Sequence, residues 1–395
     1  MQRGTKTQKR IISMALVLVF AFAALLTGCG DKAGSSETTT AGTTAGGTTA
    51  GETTAAETKA DNKEFKVGFI YVGPVNDGGW TQSHDNGRKY LEEQLGVTTF
   101  YKEIVPEGAE SKKSIMELVD QGCKVIFTTS FGYMDPTAEV AKENPDVKFL
   151  HCSGYLTADN MGNYFGRMYE SRYLSGIIAG MKTKANIIGY VAAMPIPEVF
   201  NGINAFTLGV QSVNPDAKVI VRWSNTWIDV TKEKEAAEAL LSESCDVLTL
   251  HNDSTAVQIA AQEKGAFVIG YDLDIPDAAP KAYMTAPIWN WGPYYVDQVQ
   301  KAIDGTWKSE AYAGGLSDGM VDLAPLTALA PEGAQAKIDE VEKKILDGSF
   351  KVFTGPIKDQ SGAERVKAGE VLSEEYIAGE MDWFVQGVEG TVTVE

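Results

Sequence analysis

The stretch that decides the fold is Lys66–Leu91, KVGFIYVGPVNDGGWTQSHDNGRKYL. Its first part, Lys66–Val72, is apolar and rich in residues that favour β-structure, which predicts a buried strand. The loop Gly73–Gly79 contains three glycines and a proline, and a helical pattern begins after it at Trp80. Strand, loop and helix form the first half of a βαβ unit, and ligands of open α/β sheets bind outside the carboxyl ends of the strands. We therefore predict that this loop forms one wall of a ligand site.

Strand-like and helix-like segments alternate along the rest of the chain, and the alternation starts again at Ile187. This pattern predicts an α/β architecture, with parallel sheets covered by helices on both faces. Two consecutive runs predict two lobes, an N-terminal lobe over residues 64–188 and a C-terminal lobe over residues 189–288. We expect part of the chain after residue 289 to complete the first lobe and part of residues 306–358 to complete the second, with residues 359–395 packing on both. Further strands are predicted at Ala282–Ile288 and Phe350–Phe353, and an extended segment at Gly319–Leu329.

A targeting segment precedes the lobes. Four basic residues come before the apolar run Ile11–Leu25, and a small-residue cleavage site ends in Cys29. That ending resembles a bacterial lipobox, which implies removal of residues 1–28 and lipidation of the Cys29 sulfur. The apolar run is short for a membrane span. Residues 29–63 are rich in Thr, Ala and Gly and predict a flexible tether, so we expect a lipid-anchored protein on the extracytoplasmic face of the cell membrane.

Composition and motifs exclude several classes of function. The formal charge of −18 argues against nucleic-acid binding, which needs a basic surface. The chain has three histidines and lacks a Gly-x-Ser-x-Gly elbow, a phosphate-binding loop and a dinucleotide fingerprint, so we predict neither catalysis nor a cofactor. The remaining cysteines are too far apart for a metal motif and are predicted to be buried small residues: Cys123, Cys152 and Cys245.

Aromatic and polar residues follow the predicted strands, at the edge where a ligand would bind. Aromatic rings together with amide and carboxyl groups indicate a site for a flat, polar, nitrogen-rich ring. Other interpretations stay open, because an isolated Trp often belongs to the core, and Asp77, Asp229 or Asn252 could cap helices. Asp272 and Asp274 resemble a metal-binding pair, but further oxygen ligands with suitable spacing are lacking, so no metal is predicted. The candidate ligand-binding residues are Asp77, Trp80, Phe131, Gly132, Tyr133, Trp227, Asn252, Asp253, Asp272 and Trp289.

An ordered set of phrases resembles the basic membrane protein family, whose members are lipid-anchored solute receptors of ABC importers related to purine nucleoside receptors. The resemblance covers roughly Phe65 to Lys358 and implies a type I periplasmic-binding-protein fold, in which two Rossmann-like lobes joined by a hinge of several crossovers close on a ligand. The phrases are KVGFIYV with NDGGW, FTTSFGYMDP at Phe127–Pro136, YESRYLSGIIAG at Tyr169–Gly180, WSNTWID at Trp223–Asp229 and VIGYDLD at Val268–Asp274.

The resemblance also implies roles for particular residues. A purine ring would lie between Trp80 and Trp227, one from each lobe. Polar contacts to the base would come from near Asp77 and Asn252-Asp253, and Asp272 matches the aspartate that reaches ribose hydroxyls in nucleoside binders.

One departure from the family pattern bears on the ligand. Many nucleoside-binding members carry Ser-x-x-Lys where this chain has Ala286-Pro287-Ile288-Trp289. The loss of the lysine and the added bulk of Trp289 favour a free purine base, adenine first, with nucleosides as the alternative.

The expected mechanism is binding without chemistry. The lobes would close on the base, and the closed form would be presented to an ABC permease in the membrane by a receptor that we expect to be a monomer. Two alternatives stay open, namely a sensor that signals to a membrane kinase and a sugar or amino-acid receptor of the same fold.

Overall fold

The computed structural model describes residues 62–392. Over that range the chain forms two six-stranded sheets, and within each sheet all neighbouring strands are parallel, which confirms the predicted α/β architecture. The strands are β1 (Lys66–Ile70), β2 (Thr98–Lys102), β3 (Val125–Thr128), β4 (Lys148–Cys152), β5 (Met161–Gly166), β6 (Ile187–Ala192), β7 (Lys218–Trp223), β8 (Val247–Leu250), β9 (Phe267–Ile269), β10 (Tyr283–Thr285), β11 (Pro287–Trp289), β12 (Ala311–Gly314), β13 (Val321–Leu323), β14 (Ile357–Lys358), β15 (Glu364–Val366) and β16 (Val388–Glu389).

Helices connect these strands and cover the sheets. The helical pattern predicted to begin at Trp80 is confirmed, because α1 begins there. The helices are α1 (Trp80–Leu95), α2 (Ser111–Asp120), α3 (Met134–Glu143), α4 (Met168–Lys182), α5 (Pro197–Val213), α6 (Val230–Ser242), α7 (Ala256–Lys264), α8 (Gly292–Ile303), α9 (Ala334–Leu346) and α10 (Glu374–Gly379).

The first strand of each sheet along the chain, β1 in one and β6 in the other, lies inside its sheet. The first sheet has the order β12-β5-β4-β3-β1-β2, and the second has the order β10-β9-β8-β6-β7-β16. We call the first sheet with its helices the first lobe and the second sheet with its helices the second lobe. Strands β3 and β8 are buried along their whole length, as expected for parallel strands covered on both faces. Their carboxyl ends are therefore the places where polar side chains can emerge.

The chain crosses between the two sheets three times, after β5, after β10 and after β12. Two of these crossings run side by side, because β11 and β13 pair as an antiparallel ribbon. Gly166, at the first crossing, lies against the ring of Trp289 in this ribbon, and a Cβ at Gly166 would come within 2.3 Å of the ring. The crossings together form the hinge between the lobes.

Helices α4 and α5 pack closely, which explains the small residues in the phrase at Tyr169–Gly180. A Cβ on Gly176 would lie 2.1 Å from the Phe206 carbonyl oxygen, and one on Gly209 would lie 2.1 Å from the Tyr173 carbonyl oxygen. Only glycine allows the two backbones to approach so closely. Helix α4, which precedes the predicted boundary near residue 189, therefore packs on a helix of the second lobe.

Two predictions of local strands are wrong. The segment predicted as one strand, Ala282–Ile288, is two strands in different sheets, because the chain leaves the second sheet at Ala286 and enters the hinge ribbon. In the segment Phe350–Phe353 a turn replaces the predicted strand, and Phe353 is buried in the core. The segment Gly319–Leu329, predicted to be extended, contains β13.

The residues 1–28, Cys29 and nearly all of the tether lie outside the described range. Within residues 62–392, no helix combines the length and apolarity that a membrane span requires. The cysteines Cys123, Cys152 and Cys245 are buried and unpaired, as predicted.

Candidate functional site

A cavity lies between the two lobes, at the carboxyl ends of β1, β3, β4, β6, β7, β8 and β9. Its volume in this form of the protein is about 20 Å³, and it takes five lining residues from each lobe. The first lobe contributes Val72, Trp80, Ser130, Phe131 and Ser153, and the second contributes Glu198, Trp227, His251, Asp253 and Tyr271. A site shared equally between two lobes can bind a ligand only when the lobes come together.

Trp80 forms the wall of the cavity that follows β1. Its indole Nε1 donates a hydrogen bond of 2.6 Å to the carbonyl of Thr129, at the end of β3. The preceding loop is held by the Asp77 carboxylate, which accepts hydrogen bonds from the backbone N–H groups of Gly79, Thr81 and Gln82. Burial raises the pKa of Asp77, and these three hydrogen bonds oppose that rise. Asp77 thus caps the first turn of α1 and orients Trp80.

The loop after β3 brings Phe131 to the cavity. The Glu107 carboxylate supports this loop, accepting from the Ser130 hydroxyl at 2.6 Å and from the Gly132 N–H at 2.9 Å. Tyr133 points away from the cavity and donates its hydroxyl proton to the Val105 carbonyl at 2.5 Å. Gly132 and Tyr133 therefore act in holding the loop, and Phe131 is the residue of this group that lines the cavity.

Trp227 forms the wall contributed by the second lobe. The Asn252 amide holds its loop by donating to the Ser224 hydroxyl at 2.8 Å and to the Thr226 carbonyl at 2.9 Å. The backbone N–H of Asp253 donates to the Trp227 carbonyl at 3.1 Å. Asn252 is thus a support of the Trp227 loop, and its neighbour Asp253 lines the cavity.

One side of the cavity is closed by direct contact of the two backbones. A Cβ on Gly79 would lie 2.4 Å from the carbonyl oxygen of Asp253 and 2.7 Å from its Cα. Gly78 has a φ of +86°, and a Cβ there would lie 3.2 Å from the Cγ2 atom of the Thr255 side chain. Gly79 therefore allows the backbones of the two lobes to meet.

The opposite side is closed by a hydrogen bond between side chains. The Ser153 hydroxyl, after β4, donates to Glu198 Oε2, in the first turn of α5, at 2.5 Å. The other Glu198 oxygen lies 3.8 Å from Nε2 of His251. Burial raises the pKa of Glu198 to about 7, although the Ser153 hydrogen bond opposes this rise. Burial lowers the pKa of His251 well below its usual value, and the positive charge of Arg172 lowers it further.

Asp253 is one of two carboxyl groups in the cavity lining, the other being Glu198. It is 4% exposed, and no side-chain hydrogen bond reaches it from residues 62–392. Burial raises its pKa well above the usual value, and the nearby carboxyl groups of Asp272 and Asp77 raise it further. A buried carboxyl group without a partner is unfavourable, so a ligand N–H or O–H group at this position would stabilise the closed form.

Asp272 lies behind the cavity and belongs to the link with the hinge. One of its oxygens accepts from the Trp289 indole at 2.8 Å, and the other has no hydrogen-bond partner within the described chain. Its φ of +66° is unusual for a residue other than glycine. The Arg172 guanidinium, 3.7 Å from the centroid of the Tyr271 ring, opposes the burial-driven rise in the pKa of Asp272. Asp274, the other member of the acidic pair noted in the sequence, accepts a hydrogen bond from the Tyr283 hydroxyl.

Three indoles connect the cavity to the hinge. Trp289 stacks on Trp291 with ring centroids 4.4 Å apart, and the Trp80 ring meets both edge-on at 5.6 and 5.5 Å. Trp289 and Trp291 are buried. The wall of the cavity is therefore in contact with β11, a strand of the hinge ribbon.

The structure brings four of the ten predicted site residues to the cavity lining, namely Trp80, Phe131, Trp227 and Asp253. The other six lie directly behind these and support their loops or the hinge, and their predicted contacts with a ligand stay untested. Sequence reasoning did not select six lining residues: Val72, Ser130, Ser153, Glu198, His251 and Tyr271. Position after a strand is the signal that could have found most of them. Asp229, which the sequence left open as a cap, does cap α6.

The chain resembles several known proteins over most of its length. It is 47% identical to a purine-binding protein of Brucella abortus, over 83% of this chain and 93% of that protein. It is 37% identical to a Haloferax volcanii protein named for glucose binding in an ABC transporter, over 93% of this chain and 87% of that protein. The solved structure of an ABC transporter solute-binding protein from Aeropyrum pernix matches with a TM-score of 0.64 at 20% identity, covering 73% of this chain and 92% of that one.

A second solved structure, an ABC transporter solute-binding protein from Conexibacter woesei, matches with a TM-score of 0.62 at 22% identity, over 73% of this chain and 98% of that one. Two parallel-sheet lobes around a shared cavity, together with these likenesses in fold, define a type I periplasmic-binding-protein fold, as predicted. Residues 65–350 match the model of the Bmp family, and the chain belongs to this family of PnrA-like ABC transporter substrate-binding proteins. The prediction of a binding protein rather than an enzyme is therefore confirmed.

Proposed function

We propose that this protein captures a purine base, adenine first, between its two lobes and delivers it to an ABC permease. The observation that carries the proposal is the set of groups around the cavity. Trp80 and Phe131 from one lobe face Trp227 from the other, and the buried Asp253 carboxyl group lacks a partner within residues 62–392. Aromatic faces suit a flat ring, and a carboxyl group suits the N–H groups on its edge.

The surroundings of Asp272 favour a base over a nucleoside. Asp272, which the family resemblance assigns to ribose, is fully buried, and the Trp289 indole occupies one of its oxygens. The name of the Brucella abortus relative, which is 47% identical, also supports a purine.

A sugar is the second candidate ligand. The Haloferax volcanii relative that is 37% identical is named for glucose binding. Aromatic rings with carboxyl groups would also suit a sugar, since hydroxyl groups donate to carboxylates and the apolar face of a pyranose packs on an indole. A compact monosaccharide would have to make the same contacts with Trp227 and Asp253.

The location we propose follows from the leader and the family together. Lipidation at Cys29 and a flexible tether over residues 29–63 would hold the lobes at the extracytoplasmic face of the membrane. Closure would then present one surface, built from both lobes, to the permease. A sensor that signals to a membrane kinase could use the same closed form, and genes for a permease and an ATPase beside this one would favour transport.

A binding screen tests the proposed ligand. We would measure the thermal stability of the purified lobes, residues 62–392, with adenine, guanine, hypoxanthine, adenosine, glucose and ribose, because a ligand that binds the folded form raises its melting temperature. Calorimetry would then give Kd for each ligand that acts. We expect adenine to bind most tightly. Stabilisation by glucose without any response to the purines would reject the purine proposal and favour the sugar receptor.

A further inference from the structure

A second, larger cleft lies beside the cavity, where the carboxyl end of β4 faces the start of α5. Its volume is about 660 Å³, and it takes residues from both lobes. Phe131, Ser153 and Glu198 line this outer cleft and the inner cavity alike. These three residues, which we call the partition, therefore separate the two spaces.

The partition differs in kind from the contact that closes the other side of the cavity. At Gly79 and Asp253 two backbones touch, so that side opens only if the lobes move apart. At the partition, closure depends on the hydrogen bond of 2.5 Å between the Ser153 hydroxyl and Glu198. A side-chain rotation can break this hydrogen bond while the lobes stay together.

The backbone at the partition is held in an unusual conformation. Ser153 has a φ of +63°, in the left-handed region that residues other than glycine seldom adopt, and it is 6% exposed. Gly154 follows with a φ of +143° and packs on the His151 ring. Strained residues that the surroundings hold in place are concentrated at ligand sites. Here the strain places the Ser153 hydroxyl against the opposite lobe.

Glu198 can close the partition without placing a full negative charge in the cavity. Burial raises its pKa to about 7, so a large fraction of the group is protonated near neutral pH. Both protonation states can keep the contact, because Ser153 donates to a carboxylate and accepts from a carboxylic acid.

We propose that Ser153 and Glu198 act as a size filter that limits the inner cavity to a single small ring and keeps larger congeners out of the closed form. This inference rests on the proposed function for the identity of the small ring. When the filter is removed, a substituent on that ring can extend into the outer cleft. The polar side chains there suit a group rich in hydroxyls, such as ribose, and include Asn163, Arg167, Asn201, Tyr312 and Glu374.

The test compares variants by the ratio of Kd for adenosine to Kd for adenine, measured by calorimetry. Glu198→Ala removes the side chain from the partition, and we expect this ratio to fall by roughly tenfold or more, a typical size for discrimination by a pocket wall. Glu198→Gln keeps the side-chain length and the hydrogen bond, and we expect the wild-type ratio. Ser153→Ala removes the hydrogen bond alone and should lower the ratio less than Glu198→Ala does. If the Glu198→Ala protein does not fold, Ser153→Ala is the variant that decides the test.

A matched control comes from the second lobe. The Ser254 hydroxyl donates to the Glu233 carboxylate there, so this is another buried serine–glutamate pair, but both residues belong to one lobe. Ser254→Ala should leave the ratio unchanged. An unchanged ratio in Glu198→Ala, or an equal fall in Ser254→Ala, would overturn the size filter.

The failure of the filter can be told apart from the failure of the proposed ligand. If the wild-type protein binds glucose and no purine, the purine proposal fails, and the ratio of Kd for maltose to Kd for glucose tests the filter in the same variants. A fall in that ratio for Glu198→Ala would support the filter, and a constant ratio would reject it.

Discussion

Replacement of Gly79 by alanine tests whether the lobes must meet by backbone contact for the ligand to be held. The added Cβ would lie 2.4 Å from the Asp253 carbonyl oxygen, 2.8 Å from the carbonyl carbon and 2.7 Å from Cα. All three neighbours are backbone atoms, so no side-chain rotation can relieve the contact. The variant can fold each lobe normally but cannot reach the same closed form.

The magnitude follows from these distances. Comfortable contacts between heavy atoms begin near about 3.5 Å, so the lobes would have to separate by about 1 Å at this point. Overpacking of a tightly packed contact costs about 1–3 kcal/mol. Because the cost falls on the closed form alone, we expect ligand affinity to weaken by about 5-fold to 150-fold.

Calorimetry with the ligand identified by the screen measures this change, and the melting temperature of the ligand-free protein reports on folding. Gly379→Ala is the control, because a Cβ there meets no atom within 4 Å. We expect the control to bind like the wild type, and Gly79→Ala to lose affinity with little change in ligand-free stability. Unchanged affinity in Gly79→Ala would refute the closure that we describe.

Three further changes give separable outcomes. Trp227→Ala should weaken binding of a flat ring by about 1–3 kcal/mol in calorimetry. It should lower the melting temperature less than Trp80→Ala does, because Trp227 is half-buried and Trp80 packs in the indole cluster. Asp253→Asn should weaken ligand binding. It should also raise the ligand-free melting temperature at pH 8, because it removes a buried carboxyl group that has no side-chain hydrogen-bond partner within residues 62–392. A lower melting temperature would contradict this expectation. Because the pKa of Glu198 is raised to about 7 in the folded protein, its protonation stabilises the fold at low pH, and this contribution disappears as the pH rises through 7. Glu198→Gln should therefore gain stability relative to the wild type between pH 5.5 and pH 8 in urea denaturation, and a constant difference would exclude the raised pKa.

The sequence predicts a strand correctly where the local residue pattern and the tertiary contacts favour the same structure. Lys66–Val72 is apolar and β-favouring, and the strand Lys66–Ile70 forms there. At Ala282–Ile288 the local pattern is continuous, but the hinge divides it, because the partners of its two halves lie in different sheets. A local pattern carries no information about such distant partners.

The site was predictable in part for the same reason. Trp80 and Trp227 follow glycine-rich or polar loops after strands in the two halves, and both line the cavity. Ser153 and Glu198 also follow strands, but their importance depends on the contact between the lobes, which no pattern within one lobe contains. Asp77 and Asn252 look like ligand contacts in the sequence. The structure places the Asp77 carboxylate against backbone groups of its own loop and the Asn252 amide against the neighbouring loop that carries Trp227.

The indole cluster has a practical consequence for measuring this protein. Trp80, Trp289 and Trp291 are three of the seven tryptophans in the chain, and they join the cavity wall to the hinge strand. Indole emission depends on the polarity and packing around the ring, so a movement of the hinge should change the intrinsic fluorescence. The protein thus carries its own optical reporter, and the rate of lobe closure can be followed by stopped-flow fluorescence without an attached dye.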